Sequence, residues 1–117
     1  MSRPDQLDTE PIAQAVFTAL ADPTRRGILA ELAGHGPATA TELGARLPIS
    51  RQAIAKHLGL LTDAGLVHAE PGQRRRIHYH LRTGPMVVAQ SFLAALAHTW
   101  DGRLSALRDH LDRTEEN

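Results

Sequence analysis

The stretch TATELGARLPISRQAIAKHLGLLTDAGLV, residues 39–67, decides how the rest of this chain is read. Thr41 to Leu47 is a short amphipathic segment with Leu43 and Leu47 on one helical face. Thr39 and Glu42 stand at capping-box spacing, which satisfies orphan amides at the start of that helix. Pro48 stops it, and Ser50 is a good N-cap for the next. The second helix carries Ile54, Leu58 and Leu61 at steps of four and three, the spacing of a buried stripe. Arg51, Gln52, Lys56 and His57 are assigned to its other face, as long or hydrogen-bonding side chains. Gly65 falls where a left-handed residue closes a helix, and Leu66-Val67 open a strand. Two short helices in this order read as a helix-turn-helix. A helix anchored by one apolar stripe, with donors near its amino-terminal end, suits a DNA major groove.

An ordinary helical hairpin with a solvated polar face is the bland alternative, and the residues that follow weigh against it. Glu70-Pro71-Gly72-Gln73 reads as a turn, with Pro and Gly placed for type II geometry. Beyond it, Ile77, Tyr79 and Leu81 alternate with Arg76, His78, His80 and Arg82, the period of a half-buried strand. The result is a hairpin with Arg74, Arg75 and Arg76 beside its tip, a basic wing.

At this point the chain resembles the winged-helix repressors of the ArsR/SmtB type. The resemblance rests on ALADPTRRGILAEL at 19–32, ELGARLPISRQAIAKHLGLLTDAGLV at 42–67 and RRRIHYHL at 74–81. With the flanking helices it covers roughly residues 10–112. The ordered combination is more specific than the bare helix-turn-helix. It implies a dimeric transcriptional repressor that binds an inverted repeat in double-stranded DNA.

At 117 residues the chain is of single-domain size. It has four aromatic side chains, and much of its apolar content is Ala and Leu, which makes a lone monomer the less favoured state. It contains no cysteine, so disulfides and thiolate metal sites are excluded. MSRPDQLDTEP lacks the apolar core of a signal peptide, and no stretch is long enough to span a membrane; a cytoplasmic protein with no membrane partner is the expectation. Net charge is zero but unevenly spread. Residues 22–82 hold nine Lys and Arg against five Asp and Glu, a net of +4, and each flank carries −2. Local charge sets the field at a docking surface, so the balance does not exclude a nucleic acid.

The expected architecture is mainly α with a small β-hairpin, a winged helix-turn-helix in the order α-α-α-α-β-β-α. Residues 1–8 and 113–117 read as disordered tails around a single domain at 9–112. The first helix is read over Pro11 to Ala21. Asp22-Pro23 starts a second that carries Ile28, Leu29 and Leu32 and ends at Gly34-His35-Gly36-Pro37. Thr83-Gly84-Pro85 opens a last helix reaching about Asp112.

Along that last helix Leu93, Leu96, Trp100, Leu104, Leu107 and Leu111 are three, four, four, three and four apart, a continuous seam. The first helix offers a second stripe in Ile12, Val16 and Leu20. Either these stripes pack on the chain's own core, or first and last helices join two copies into a homodimer. The second reading is favoured, and the resemblance points the same way.

Candidates for base or phosphate contact are Arg51, Gln52, Lys56 and His57, with Ser50 either capping its helix, touching a phosphate or both. Gln52 suits adenine and Arg51 guanine. Thr41 and Arg46 would meet the backbone; Arg74, Arg75 and Arg76 would meet phosphates or a minor groove, the alternative being a solvated hairpin tip; and His78 is solvated or DNA-facing.

Many relatives of the resembled type sense metals, so the seven histidines need weighing. The Cys-x-Cys pair of one such site is missing. The last-helix site requires Asp-x-His followed about eleven residues later by His-x-x-Glu. Here Leu96 precedes His98, His110 follows twelve residues on, and Arg113 takes the final place. Twelve residues turn a helix by about 120° beyond whole turns, so the two imidazoles leave one face. His98, Asp101 and His110 therefore stand as the alternative, a zinc- or nickel-responsive sensor built across a dimer. His78 and His80 share a strand face about 7 Å apart, with only Glu70 nearby as a third ligand. No cofactor is expected and no effector is indicated. There is no nucleophile elbow, glycine-rich phosphate loop or paired carboxylate in a cleft, so an enzyme is not expected.

Overall fold

The computed structural model describes residues 4–115, with side chains for 9–114. Helix α1 spans Pro4–Leu20 and α2 spans Pro23–His35. Strand β1, Ala38–Thr39, leads into α3, Ala40–Arg46, and α4, Arg51–Asp63. Strand β2, Val67–Pro71, is joined through a single 3-10 turn at Gln73–Arg75 to β3, Ile77–Leu81, and α5 covers Gly84–Glu115. The fold is a mainly helical winged helix-turn-helix with a small antiparallel sheet in the order β1-β3-β2.

Local chemistry sets these boundaries. Asp22 caps α2 by accepting the Arg25 amide hydrogen at 2.9 Å, and Pro23 occupies the first turn, where its missing N–H costs nothing. Thr39 and Glu42 form the reciprocal capping box of α3: the Thr39 hydroxyl accepts from Glu42 N at 3.1 Å, and Glu42 Oε1 accepts from Thr39 N at 3.3 Å. Gly65 takes φ +77°, the left-handed turn that lets Leu66 N donate back to Leu61 O.

One core unites the elements. Ile28, Leu29 and Leu32 of α2 meet Leu43 of α3, Ile54, Leu58 and Leu61 of α4, and Leu66 and Val67 at the start of β2. Ala13, Val16 and Ala19 close it from α1, and Ala89 from α5. The Phe17 and Phe92 rings lie 6.0 Å apart where α1 meets α5. Past that contact every described residue of α5 is exposed, and the helix runs on as an arm that gives the molecule its 76 Å length.

Several sequence-based expectations are corrected. Helix α1 begins at Pro4, not Pro11, so residues 4–8 of the expected tail are helical and Pro11 lies inside the helix; residues 1–3 lie outside the described residues. Likewise α5 continues through 113–115, and the rest of that expected tail, 116–117, is outside the description. The hairpin has a third strand, because Ala38 and Thr39 pair with Tyr79 and His78. A two-residue strand leaves no periodic signal. Val16, expected on the dimer face, is 1% exposed within a single chain. It belongs to the core and has no surface left to offer a second copy.

The two cap carboxylates make stability pH-dependent. The Arg25 amide hydrogen bond holds the Asp22 carboxyl below its usual 3.8, and the Thr39 amide, followed by the Thr39 hydroxyl, holds Glu42 below 4.5. A depressed folded-state value gives stability that is present above the ordinary value and lost as pH falls through the folded one. The thermal midpoint should therefore drop as pH is lowered from 5 towards 3. Replacing Asp22 by Asn together with Glu42 by Gln should flatten the drop. An unchanged pH profile in the double variant would remove the caps from the account.

Candidate nucleic-acid interface

Helix α4 is divided lengthwise. Ile54, Leu58 and Leu61 are each 0% exposed. At about 100° per residue, Gln52, Lys56, Gly59 and Asp63 lie opposite that stripe, and all four are exposed. Arg51 is exposed at the amino-terminal end. Ser50 caps the helix, its hydroxyl accepting from Ala53 N at 3.2 Å, which leaves its O–H free to donate. The helix thus presents a polar face whose direction is fixed by the fully buried face behind it.

His57 does not belong to that face. It sits about 140° around the helix from Gln52, half-buried, with Nδ1 closed off from solvent and without a hydrogen-bond partner among the described residues. It lies close enough to Asp22 to add to the interactions, led by the Arg25 amide, that keep that carboxyl low. The sequence reading counted four donors on one face; the structure turns one of them towards α2.

On α3, Thr41 is exposed, and Arg46 is drawn to Glu42 at 3.6 Å. The wing pairs Val67 with Leu81, His68 with His80, Ala69 with Tyr79, Glu70 with His78 and Pro71 with Ile77. Its turn is not the expected type II. Gly72 has φ −117°, and the positive angles fall on Arg74 (φ 59°) and Arg75 (φ 61°). Gly72 N closes the loop by donating to Arg76 O at 2.7 Å. A Cβ at position 72 would stand 3.0 Å from Nδ1 of His78, so glycine serves here by letting the histidine approach. Arg74, Arg75 and Arg76 are all exposed.

The other histidine candidates are spread out. His80 Nε2 meets Glu70 Oε2 at 3.0 Å, and the His68 and His80 rings are 6.5 Å apart. Among the described residues no three His, Asp or Glu side chains converge on one point. His98, Asp101 and His110 lie on the exposed arm of α5. Two residues expected on the covered side of β3 line the cleft between α3 and the wing: Ile77, which is exposed, and Tyr79, which is half-buried. A polar-tipped aromatic on a strand flanked by arginines was the available signal.

Two consecutive non-glycine residues in the left-handed region carry strain of about 1–2 kcal/mol each. Replacing Arg74 and Arg75 by Gly should therefore hold or raise the thermal midpoint while removing two charges from the tip. A clear loss of stability would mean that the arginine side chains, not the backbone, hold the turn.

The geometry agrees with what is known of other proteins. Residues 20–70 match the model of a helix-turn-helix domain family. The HTH-type transcriptional regulator Rv2034 of Mycobacterium tuberculosis is 40% identical over 97 residues, covering 83% of this chain and 72% of that protein. The transcriptional repressor SdpR of Bacillus subtilis is 38% identical over 68 residues, 58% of this chain and 73% of that one. The solved structure of an ArsR-like transcriptional regulator from Rhodococcus sp. RHA1 superposes with a TM-score of 0.78 at 39% identity, covering 87% of this chain and 94% of the other. These likenesses are to DNA-binding regulators and not to enzymes, and no helix among the described residues is long and apolar enough to cross a membrane. With its helix-turn-helix, its basic wing and these relatives, the chain belongs to the ArsR family of transcriptional regulators.

Proposed function

We propose that this chain acts as a homodimeric repressor that reads an inverted-repeat operator. One observation carries the reading: α4 has one face wholly buried and an opposite face of exposed polar side chains held in a fixed direction. Gln52, Lys56 and Arg51 enter the major groove, with Gln52 suited to adenine and Arg51 to guanine. Thr41, Ser50, Arg74, Arg75, Arg76 and His78 meet the sugar-phosphate backbone or its flank and set register without reading sequence. The net +4 of residues 22–82 favours this placement, since the acidic excess lies in the flanks.

Dimerisation is supported by α5. Leu93, Leu96, Trp100, Leu104, Leu107 and Leu111 are between 42% and 61% exposed in a single chain, an apolar stripe too continuous to be left in water. Ile12 of α1, 37% exposed, and the half-buried Leu20 extend the same kind of surface. Two copies joined there present two recognition helices, and half-sites about 10 bp apart follow from placing both in major grooves on one side of the duplex. The repressor direction draws on the likeness to SdpR.

The test is selection of bound fragments from genomic DNA, followed by binding of the recovered operator. Gln52→Ala should cost about 1–3 kcal/mol and relax preference at one or two positions per half-site. Replacing Arg74, Arg75 and Arg76 by Ala should weaken all sequences alike and make the salt dependence shallower, because fewer counterions are released. Failure to enrich any sequence would sink the function. A uniform loss on Gln52→Ala would make that residue a positioning group.

A further inference from the structure

Between the amino-terminal part of α3 and the wing lies a cleft of about 410 Å³. Arg75, Arg76, Ile77 and Tyr79 line it from the wing, and Thr41 and Glu42 face them from α3. Resting on the function proposed above, we propose that this cleft seats one deoxyribose-phosphate unit of the bound DNA strand, with the Tyr79 hydroxyl donating a hydrogen bond to the phosphate.

The chemistry of the walls matches that unit. Two guanidinium groups supply charge, and Thr41 and Tyr79 supply neutral hydroxyl donors. Ile77, 45% exposed, offers apolar contact of the kind the sugar face takes. Tyr79 is held at the centre of the sheet, opposite Ala38 on one side and Ala69 on the other. Both neighbours are small, so the ring packs beside the core while the residue also lines the cleft. Glu42 is the one carboxylate on the wall, and its charge is already engaged. One oxygen accepts from Thr39 N at 3.3 Å and the other lies 3.6 Å from Arg46. An anion therefore enters a site where two guanidinium groups outnumber one carboxylate that already has partners.

Tyr79→Phe separates this role from packing, because it keeps the ring. Operator affinity should fall about ten- to a hundredfold, as for loss of one hydrogen bond to a charged group. The salt slope and the thermal midpoint should stay as in the parent chain, since no charge is removed. Scanning the operator with single uncharged methylphosphonate linkages should find one position per half-site where the parent protein loses clearly more affinity than the Phe variant, which keeps the arginines. Unchanged affinity of Tyr79→Phe, or identical methylphosphonate profiles for the two proteins, would overturn the assignment while leaving the operator model intact. Failure of the parent protein to bind operator DNA at all would remove both.

Discussion

The burial of three side chains on one helix governs everything else in this molecule. Ile54, Leu58 and Leu61 are fully enclosed by α2, α3 and the start of β2, so α4 can neither roll nor slide without opening the core. A helix that reads bases must be held to a fraction of a turn, because in the proposed complex Gln52 and Lys56 would address different atoms if it rotated. The caps at Ser50 and Thr39 fix the ends of the two motif helices, and Gly65 turns the chain directly from α4 into the wing. Thus the same residues that stabilise the domain also aim its polar face. His57 illustrates that aim: one position beyond Lys56, it is half-buried and turned towards α2, with Nδ1 closed off from solvent.

The second constraint is what the core leaves uncovered. Helix α5, at 32 residues, is about 48 Å long, and only its first part rests on the body. The remaining seam repeats at three, four, four, three and four residues, close to the natural period of a straight helix and unlike a strict heptad. In the proposed dimer such a stripe stays on one side without supercoiling, so two copies can meet along a flat, extended contact. In that proposed dimer the domain and the arm would divide the work: one would orient the reading surface, the other set the distance between two of them.

Much of this was legible in the sequence because it rests on strong local rules. Capping residues, the four-three apolar spacing of α4 and the glycine at 65 each have a single structural solution. What escaped depends on contacts between distant segments. Ala38 and Thr39 become a strand only because β3 is there to pair with them. Val16 and Ile12 look equivalent in a helical stripe, yet α1 lies on the core so that one is enclosed and the other is not. The wing turn was misread because Pro71-Gly72 has the chemistry of a type II turn. Pairing of Pro71 with Ile77 instead carries the strand further and moves the left-handed residues to Arg74 and Arg75. His57 and Tyr79 erred in opposite directions, and for one reason: a half-buried side chain at the margin of a stripe is assigned by its neighbours, not by its period.

The operator model stands or falls on two copies meeting through α5, and Leu104, mid-seam between Trp100 and Leu107, is the place to test it. Leu104→Asp sets a carboxylate against an apolar partner surface, where burying it without a hydrogen bond is costly. Sedimentation of the variant, with helical circular dichroism recorded beside it and operator binding measured on the same sample, is the direct measurement. The account predicts loss of the dimer and collapse of affinity for the full inverted repeat. A folded Leu104→Asp chain that still sediments as a dimer and binds the repeat as before would contradict it.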